Sequence, residues 1–110
     1  METVRTTEQT LPRLNEPAPS FKAKTTHGEK KLEDYKGRWL AIYFYPKDDT
    51  PGCTKEACNF RDNIYAFKAI DAAVVGISVD DVESHKKFSD KYKLPFTLLA
   101  DSDTTTAAAY

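Results

Sequence analysis

Two short, nearly continuous apolar runs, separated by a stretch with helical periodicity, constrain the fold of this chain most strongly. Residues 39–45 read WLAIYFY, and residues 73–79 read AVVGISV. Runs of this length without alternation are typical of strands covered on both faces. We therefore predict that Trp39–Tyr45 is a central strand and that Ala73–Val79 is a second strand, with Phe96–Ala100 as a weaker third.

Two segments show the periodicity of amphipathic helices. Residues Thr54–Ile70 place apolar side chains at spacings of three and four, and Val82–Tyr92 follows a suitable N-cap at Asp80 or Asp81. We predict a helix in each segment, with the second ended before Pro95. The predicted core-facing residues of the first helix are Ala57, Phe60, Ile64 and Phe67.

The order strand, helix, strand, helix, strand predicts an α/β fold with a mostly parallel sheet and flanking helices. Phe21–Thr25 and the turn-forming residues 26–29 predict a short hairpin at one edge. Thr104 and the residues after it are typical of a capping threonine and the first turn of another helix, so we expect the fold to be incomplete at its C-terminus. We predict one domain over residues 1–110, with residues 1–13 as an irregular N-terminal arm.

The charge balance excludes some classes of partner. Sixteen basic and seventeen acidic residues give a formal net charge of −1, and neither sign forms a long block. Nucleic acids and anionic membranes are therefore not expected partners. The first residues precede no apolar stretch of signal-peptide length, and the apolar runs are too short to span a bilayer. We predict a cytoplasmic protein.

Cys53 and Cys58 are the residues best suited to chemistry. In a reducing compartment, a pair of cysteines is seldom a structural bridge. Cys53 follows a predicted strand and lies at a predicted helix start, where unpaired N–H groups and the helix dipole favour the reactive thiolate. The spacing of the cysteines is not that of a zinc site, and neither His27 nor His85 has a nearby ligand partner in the sequence. We predict no metal and no cofactor.

The residues before Cys53 predict a preorganised loop. Thr50 lies three positions upstream and can place its hydroxyl beside the sulfur, while Pro46 and Pro51 restrict the backbone. If the substrate is a peroxide, Thr50 and the helix N–H groups can donate to the leaving oxygen.

The spacing of the two cysteines has a geometric consequence. Five residues along a helix correspond to a rotation of about 140° and a rise of about 7.5 Å. The two Cα atoms would then lie beyond the ~7 Å limit for a disulfide, so a bond between Cys53 and Cys58 requires local unwinding. In projection, Cys53 falls close to the apolar stripe and Cys58 well off it, which predicts that one thiol points inward and the other away.

The segment around Cys53 resembles the peroxiredoxins, and within them the Q-type or bacterioferritin-comigratory branch. The resemblance lies in Pro46-xxx-Thr50-xx-Cys53 and in the residues after it, Glu56-Ala57-Cys58 and Phe60-Arg61-Asp62. Further matches cover nearly the whole chain: residues 14–19, Phe21, Leu32, Asp34, residues 36–37, residues 75–78 and residues 99–101.

This resemblance implies a thioredoxin-like fold and a peroxidase that reduces hydrogen peroxide and organic hydroperoxides. It implies that Cys53 is the peroxidatic residue and forms a sulfenic acid, that Cys58 resolves it as a disulfide, and that thioredoxin or a similar donor reduces the disulfide. Thr50 would orient the peroxide, and Pro46 would shield the pocket. We expect a monomer or a weak homodimer.

The sequence departs from the family pattern at its end, because family members continue well beyond the position that matches Tyr110. They add a helix, further strands and an arginine that contacts the peroxidatic cysteine. Neither Arg38, before the first predicted central strand, nor Arg61, over two helical turns beyond Cys53, is an evident substitute. We therefore expect lower activity from these 110 residues than from a longer chain.

Two other functions stay open at this stage. A protein thiol–disulfide oxidoreductase of thioredoxin type would carry two cysteines separated by two residues, whereas four separate Cys53 and Cys58. A truncated, non-catalytic module that retains the shape for binding is the third reading. Cys58 is also compatible with a small helix residue, and His85 is interpreted as a partly buried helix residue rather than a base.

Overall fold

The computed structural model describes residues 14–110, and the predicted arm over residues 1–13 lies outside the described residues. Within residues 14–110 the fold consists of five strands, four α-helices and a 3₁₀ helix at Leu32–Tyr35. The strands are β1 (Lys22–Thr25), β2 (Gly28–Lys31), β3 (Trp39–Phe44), β4 (Ala72–Ser78) and β5 (Thr97–Ala100). The helices are α1 (Pro51–Asp62), α2 (Ile64–Ala69), α3 (Val82–Tyr92) and α4 (Thr105–Ala109). The α/β class is confirmed.

All five strands belong to one mixed sheet with the order β2-β1-β5-β4-β3. β3 and β5 both run parallel to β4, as the crossover helices require. The predicted hairpin is present: β1 and β2 are antiparallel, β2 lies at the sheet edge, and β1 joins the parallel strands through an antiparallel contact with β5 at Thr25 and Leu99.

The prediction that the first apolar run is a central strand is wrong for the residues described. β3 is the last strand of the sheet, and among residues 14–110 only β4 pairs with it. Trp39 and Phe44 at its two ends are exposed, whereas nearly every residue of β4 is buried. The apolar composition of β3 indicated covered faces, but it carries no information about which edges are hydrogen-bonded to a neighbour.

The predicted first helix is interrupted once. Asn63 leaves the helical conformation (φ −109°, ψ 14°), and its side-chain amide donates to the carbonyl of Asn59 at 2.8 Å. Such a side-chain bond competes with the backbone ladder, so the segment divides into α1 and α2. The predicted stripe still faces the core: Ala57 is buried, and Phe60, Ile64 and Phe67 are partly buried against the same cluster.

Helix α3 matches the prediction at both ends. The carboxylate of Asp81 accepts from the N–H of Ser84 at 2.8 Å, which is an N-cap bond. Helix α4 also follows the predicted position, but Thr104 does not cap it with its side chain. Asp101 does so instead, because its two carboxylate oxygens accept from the N–H groups of Thr106 and Ala107 at 2.9 and 2.8 Å.

The core divides between the two faces of the sheet because neighbouring residues of β4 and β5 point to opposite sides. One cluster includes Val74 and Leu98 together with Cys53 and Ala57 of α1 and Phe88 of α3. The other contains Phe21, Val75, Ile77 and Leu99, with Tyr110 packed against it. None of the described helices has the length and apolar character needed to cross a membrane.

Candidate active site

The candidate site lies where the chain leaves β3 and enters α1. Strand β3 ends at Phe44, and α1 begins at Pro51, which occupies the first helical position. Proline is favoured there because its fixed φ suits the helix and its missing N–H is not needed. Cys53 therefore lies in the first turn of α1, at the carboxyl end of a strand that runs parallel to its neighbour. This is the usual location of chemistry in an open α/β sheet.

Cys53 is buried, whereas Cys58 is only partly buried, and both are free thiols. The Cys53 side chain packs in the cluster that contains Tyr45, Ala57 and Phe88. Both cysteines belong to the unbroken helix α1, so their Cα atoms are separated by a rise of about 7.5 Å. The predicted difference in burial between the two thiols is confirmed, and the helix holds them too far apart to bond.

Thr50 occupies the N-cap position of α1, but its hydroxyl does not cap the helix. The hydroxyl donates instead to the carbonyl of Lys47 at 3.2 Å, which closes the loop on itself. The Thr50 carbonyl accepts from the N–H of Thr54 at 2.8 Å and begins the helix. The first-turn N–H groups are thus not occupied by the Thr50 hydroxyl, and the positive end of the helix dipole stays available to an anion.

Pro46 is exposed and opens the loop that ends at Thr50. The structure therefore brings three of the predicted site residues, Pro46, Thr50 and Cys53, into one short segment. Cys58 lies further along the same helix. The substrate and catalytic roles of these four residues stay predictions.

A buried polar network behind the loop is the feature that sequence reasoning missed. Asp48 is buried, and its carboxylate accepts from the Tyr45 hydroxyl at 2.6 Å and from the Ser84 hydroxyl at 2.8 Å. His85, interpreted as a partly buried helix residue, is fully buried, with Nδ1 2.8 Å from Asp48 Oδ2. The backbone N–H of Asp48 donates to Asp80 at 2.8 Å. The sequence gives little signal for this network, because 37 residues separate Asp48 from His85.

Burial and hydrogen bonding together determine which groups of this network are ionised. Burial alone would raise the pKa of Asp48, but hydrogen bonds from His85, Tyr45 and Ser84 outweigh it and hold the pKa of Asp48 below its usual value. Burial, reinforced by the hydrogen bond to Asp48 and its charge, raises the pKa of Tyr45 well above that of a free phenol. Tyr45 is therefore a neutral donor and Asp48 an ionised acceptor at neutral pH.

Asp48, Asp80 and His85 also place ligand atoms within 4.8 Å of one another, an arrangement that can suit a cation. Each of these side chains already has protein partners. Asp80 Oδ2, for example, accepts from the Ser78 hydroxyl at 2.6 Å as well as from the Asp48 N–H. We therefore interpret the group as a hydrogen-bond network that joins the loop to α3.

A second aspartate ties the loop to the far end of α3. Asp49 adopts a left-handed backbone conformation (φ 58°) and accepts from Lys91 Nζ at 2.7 Å and from the Tyr92 hydroxyl at 2.8 Å. These hydrogen bonds, the first from Lys91, hold the pKa of Asp49 below its usual value. Because the pair of Asp49 and Lys91 is exposed, we expect it to contribute less to the stability of the fold than the buried contacts of Asp48.

The two arginines of the described residues, Arg38 and Arg61, form their hydrogen bonds with groups other than Cys53. Arg38 Nε donates to Asp71 at 3.3 Å. Arg61 donates through Nε to Asp62 at 3.0 Å and through Nη1 to the carbonyl of Tyr92 at 2.7 Å. Arg61 thus bridges α1 to the end of α3 and does not take the place of an arginine beside Cys53.

A cavity of about 690 Å³ among the described residues does not include the cysteine loop. It lies between β1 and the start of α4, and Phe21, Lys24, Val82 and Asp101 are among the residues that line it. A second cavity of about 390 Å³ lies beside the contacts between the loop and α3. It is lined by Asp48, Asp49, Ser84, Phe88 and Lys91 among others. The chemistry of the residues, rather than cavity size, identifies the candidate site.

Comparison with known proteins gives a consistent result. The model of the AhpC/TSA family matches residues 14–110. Peroxiredoxin Bcp of Bacillus subtilis is 49% identical over 98 residues, which cover 88% of this chain and 62% of that protein. Chloroplastic peroxiredoxin Q of Oryza sativa subsp. japonica is 55% identical over 85 residues, which cover 76% of this chain and 39% of that protein.

The fold is similar to that of solved structures of the same kind. Peroxiredoxin Q of Xanthomonas campestris superposes with a TM-score of 0.80 at 37% identity, over 82% of this chain and 58% of that one. Peroxidoxin BcpB of Mycobacterium tuberculosis gives 0.81 at 35% identity, over 86% and 63%. This chain therefore spans about three fifths of the length of the bacterial proteins that it matches.

Proposed function

The chain belongs to the AhpC/TSA family, and from this premise we propose that it is a thiol-dependent peroxidase with Cys53 as its nucleophile. One observation carries the proposal: Cys53 lies in the first turn of α1, directly after a loop that is tied to the fold by buried hydrogen bonds. A thiolate at this position is stabilised by the helix N-terminus, and the loop orients its neighbours.

The first step oxidises Cys53 and reduces the peroxide. The thiolate sulfur attacks one oxygen, an S–O bond forms, and the O–O bond breaks. The other oxygen leaves as hydroxide or alkoxide and takes up a proton, so that the products are a sulfenic acid and water or an alcohol. The first-turn N–H groups of α1 and the Thr50 hydroxyl are the donors proposed for the leaving oxygen. Pro46, exposed at the start of the loop, is proposed to restrict access of water to the sulfur.

Cys58 is the proposed resolving thiol. Its sulfur attacks the sulfenic sulfur of Cys53, an S–S bond forms, and the hydroxyl group leaves as water with the thiol proton. The helical geometry forbids this bond while α1 is intact, so resolution requires that the first turns unwind. A dithiol reductant then restores both thiols by exchange and becomes a disulfide itself.

The proposed substrates are hydrogen peroxide and organic hydroperoxides, and the proposed reductant is thioredoxin or a protein of similar chemistry. The names of the relatives, peroxiredoxin Bcp and peroxiredoxin Q, support this substrate class. A monomeric or weakly dimeric state stays a prediction. A cytoplasmic location also stays a prediction, since some of the relatives are chloroplastic.

The experiment that tests the nucleophile compares Cys53→Ser with the unchanged chain in a hydrogen peroxide titration that counts thiols. We expect the variant to lose peroxide-driven thiol oxidation and to keep its circular dichroism spectrum, because the change is nearly isosteric. Peroxide consumption at the wild-type rate by Cys53→Ser would refute the assignment. An insulin-reduction assay on the same samples distinguishes the oxidoreductase alternative, which predicts disulfide reductase activity.

The resolving role is tested with Cys58→Ser. This variant should react once with peroxide and stop at the sulfenic acid, which dimedone traps and excess peroxide oxidises further. The unchanged chain should instead lose two hydrogens in mass as the disulfide forms. The same internal mass loss in Cys58→Ser would exclude Cys58 as the partner of Cys53.

A further inference from the structure

The loop before the candidate nucleophile is held by a single buried side chain. Among residues 46–50 only Asp48 is buried. Its oxygens accept from Tyr45 before the loop and from Ser84 and His85 on α3. The position of this carboxylate therefore depends on α3, which is more than thirty residues further along the chain.

The His85 ring has acceptors at both nitrogens. Nδ1 lies 2.8 Å from Oδ2 and 3.1 Å from Oδ1 of Asp48, and Nε2 lies 3.0 Å from the carbonyl oxygen of Leu99 in β5. A carbonyl oxygen accepts hydrogen bonds and never donates them. The Asp48 carboxylate already receives two hydroxyl donors, which favours its ionised form. Both ring nitrogens must then donate, and only the imidazolium carries two N–H groups.

The charges around the ring lead to the same protonation state. Within residues 14–110, the titratable groups that face His85 are Asp48 and Tyr45 from the loop side and Asp80 from the segment between β4 and α3. From β5 the ring meets a backbone carbonyl. Tyr45 is neutral, so the two carboxylates, with oxygens within 4.8 Å of the ring nitrogen and of each other, would repel without a cation between them. The ring has no exposed surface, so solvent supplies no counterion.

We infer that His85 is a positioning residue for Cys53, and that it acts as a buried imidazolium that joins α3 and β5 to the loop through Asp48. This inference rests on the proposed function, because it concerns the geometry of the same nucleophile. Asp48 lies five residues before Cys53, and only Asp49, Thr50 and the first residues of α1 intervene. A displacement of about 1 Å in such a support can reduce the rate of a positioned reaction about a hundredfold.

The protonation state is tested on the unchanged chain by ¹⁵N NMR of the His85 ring at neutral pH. We expect a proton on both nitrogens, each with a one-bond coupling to hydrogen, and protection of both from exchange with water. A ring with one bare nitrogen under these conditions would overturn the inference. This measurement needs no variant, so it stands even if a substitution at His85 prevents folding.

The positioning role is tested by His85→Gln in a Cys58→Ser background, where each molecule reacts once with peroxide. We expect the rate at which Cys53 reacts with peroxide to fall about tenfold or more, measured where circular dichroism shows that the variant is folded. Two controls separate this effect from charge and from stability. Lys86→Gln removes an exposed cation from the neighbouring position. Val75→Ala makes a cavity in the core cluster on the other face of the sheet. Both controls, made in the same background, should stay within about threefold of the rate of Cys58→Ser alone, because neither touches the loop.

A His85→Gln rate within about threefold of Cys58→Ser alone would overturn the inference, as would an equal loss of rate in Val75→Ala. Alkylation of Cys53 by iodoacetamide is measured beside the peroxide reaction, so that the two proposals fail separately. A wild type that is alkylated at Cys53 but consumes no peroxide refutes the proposed function. The ratio of alkylation rates between His85→Gln and the wild type then still decides the positioning role, and an unchanged ratio contradicts it.

Discussion

Replacing Gly76 by alanine should destabilise the fold, because β4 has no room for a methyl group at this position. An added Cβ would lie 2.8 Å from both Cζ and the hydroxyl oxygen of Tyr43 and 3.0 Å from Cδ2 of Leu98. Leu98 is fully buried. The Tyr43 ring cannot easily move away, because it is stacked on Phe60 at 4.6 Å and on Tyr45 at 5.5 Å between ring centroids.

The magnitude follows from two opposing effects. Overpacking of a well-packed core costs about 1–3 kcal/mol, whereas alanine restricts the unfolded chain more than glycine and contributes roughly 0.5–1 kcal/mol in the other direction. We expect a net loss of about 1–2 kcal/mol in the free energy of unfolding, measured by urea titration with circular dichroism.

Gly52→Ala is the matched control for this measurement, because an added Cβ there meets nothing within 4 Å. It lies in the first turn of α1, where alanine should leave stability unchanged or raise it by a few tenths of a kcal/mol. A Gly76→Ala protein as stable as the wild type would refute the packing argument and would mean that the Tyr43 ring has another place to go.

Three further predictions follow from the same structure. Among the described residues Tyr43 holds a buried hydroxyl without a hydrogen-bond partner, so Tyr43→Phe should raise the free energy of unfolding by about 1 kcal/mol in urea titration, and a loss of stability would indicate an unseen partner. Formation of the proposed disulfide should accelerate amide exchange over Thr54–Arg61, and equal protection in both redox states would show that no unwinding occurs. Because the folded-state pKa of Asp48 lies below its ordinary value of about 3.9, its contribution to stability is present above that value and is lost as the pH falls through the folded-state pKa. As the pH falls, the free energy of unfolding of the wild type should therefore decrease by up to about 1.4 kcal/mol per pH unit through this group. Asp48→Asn should lack this decrease. Glu83→Gln, which removes an exposed acid of α3, should retain it.

Sequence reasoning succeeded where the determinants of structure are local. Helix α3 was predicted at its observed bounds because Asp81 caps its start. Its end is equally local: Lys93 adopts the left-handed conformation (φ 53°), and Pro95 follows two residues later. The placement of Cys53 at a helix start was predictable from the preceding loop, although α1 begins at Pro51, three residues before the predicted start at Thr54.

Features that depend on tertiary structure were not predictable in this way. The edge position of β3 depends on which strands pair with it, and its own composition gives no sign of that. The burial of His85 depends on α3 bringing it beneath a loop that lies far away in the sequence, and a histidine flanked by Ser84 and Lys86 looks like a half-exposed helix residue. Asn63 shows an intermediate case: its capacity to bond the backbone was visible, but the apolar stripe continues across it and gave no sign that the helix would be interrupted there.

The two anchors of the site limit how far the chain can unwind during the proposed disulfide formation. Upstream, Asp48 is fixed by its buried contacts to α3, and downstream Phe60 is stacked on Tyr43 and inserted against the core. The residue between the two cysteines that enters the core is Ala57, whose single methyl group contributes only about 0.8 kcal/mol of hydrophobic burial. A larger side chain there would attach the first turns of α1 to the sheet more strongly. Between these two supports only Cys53 and Ala57 of the first turns are buried, so Cys53 can leave its buried position while the contacts of Asp48 and the stacked ring of Phe60 stay in place.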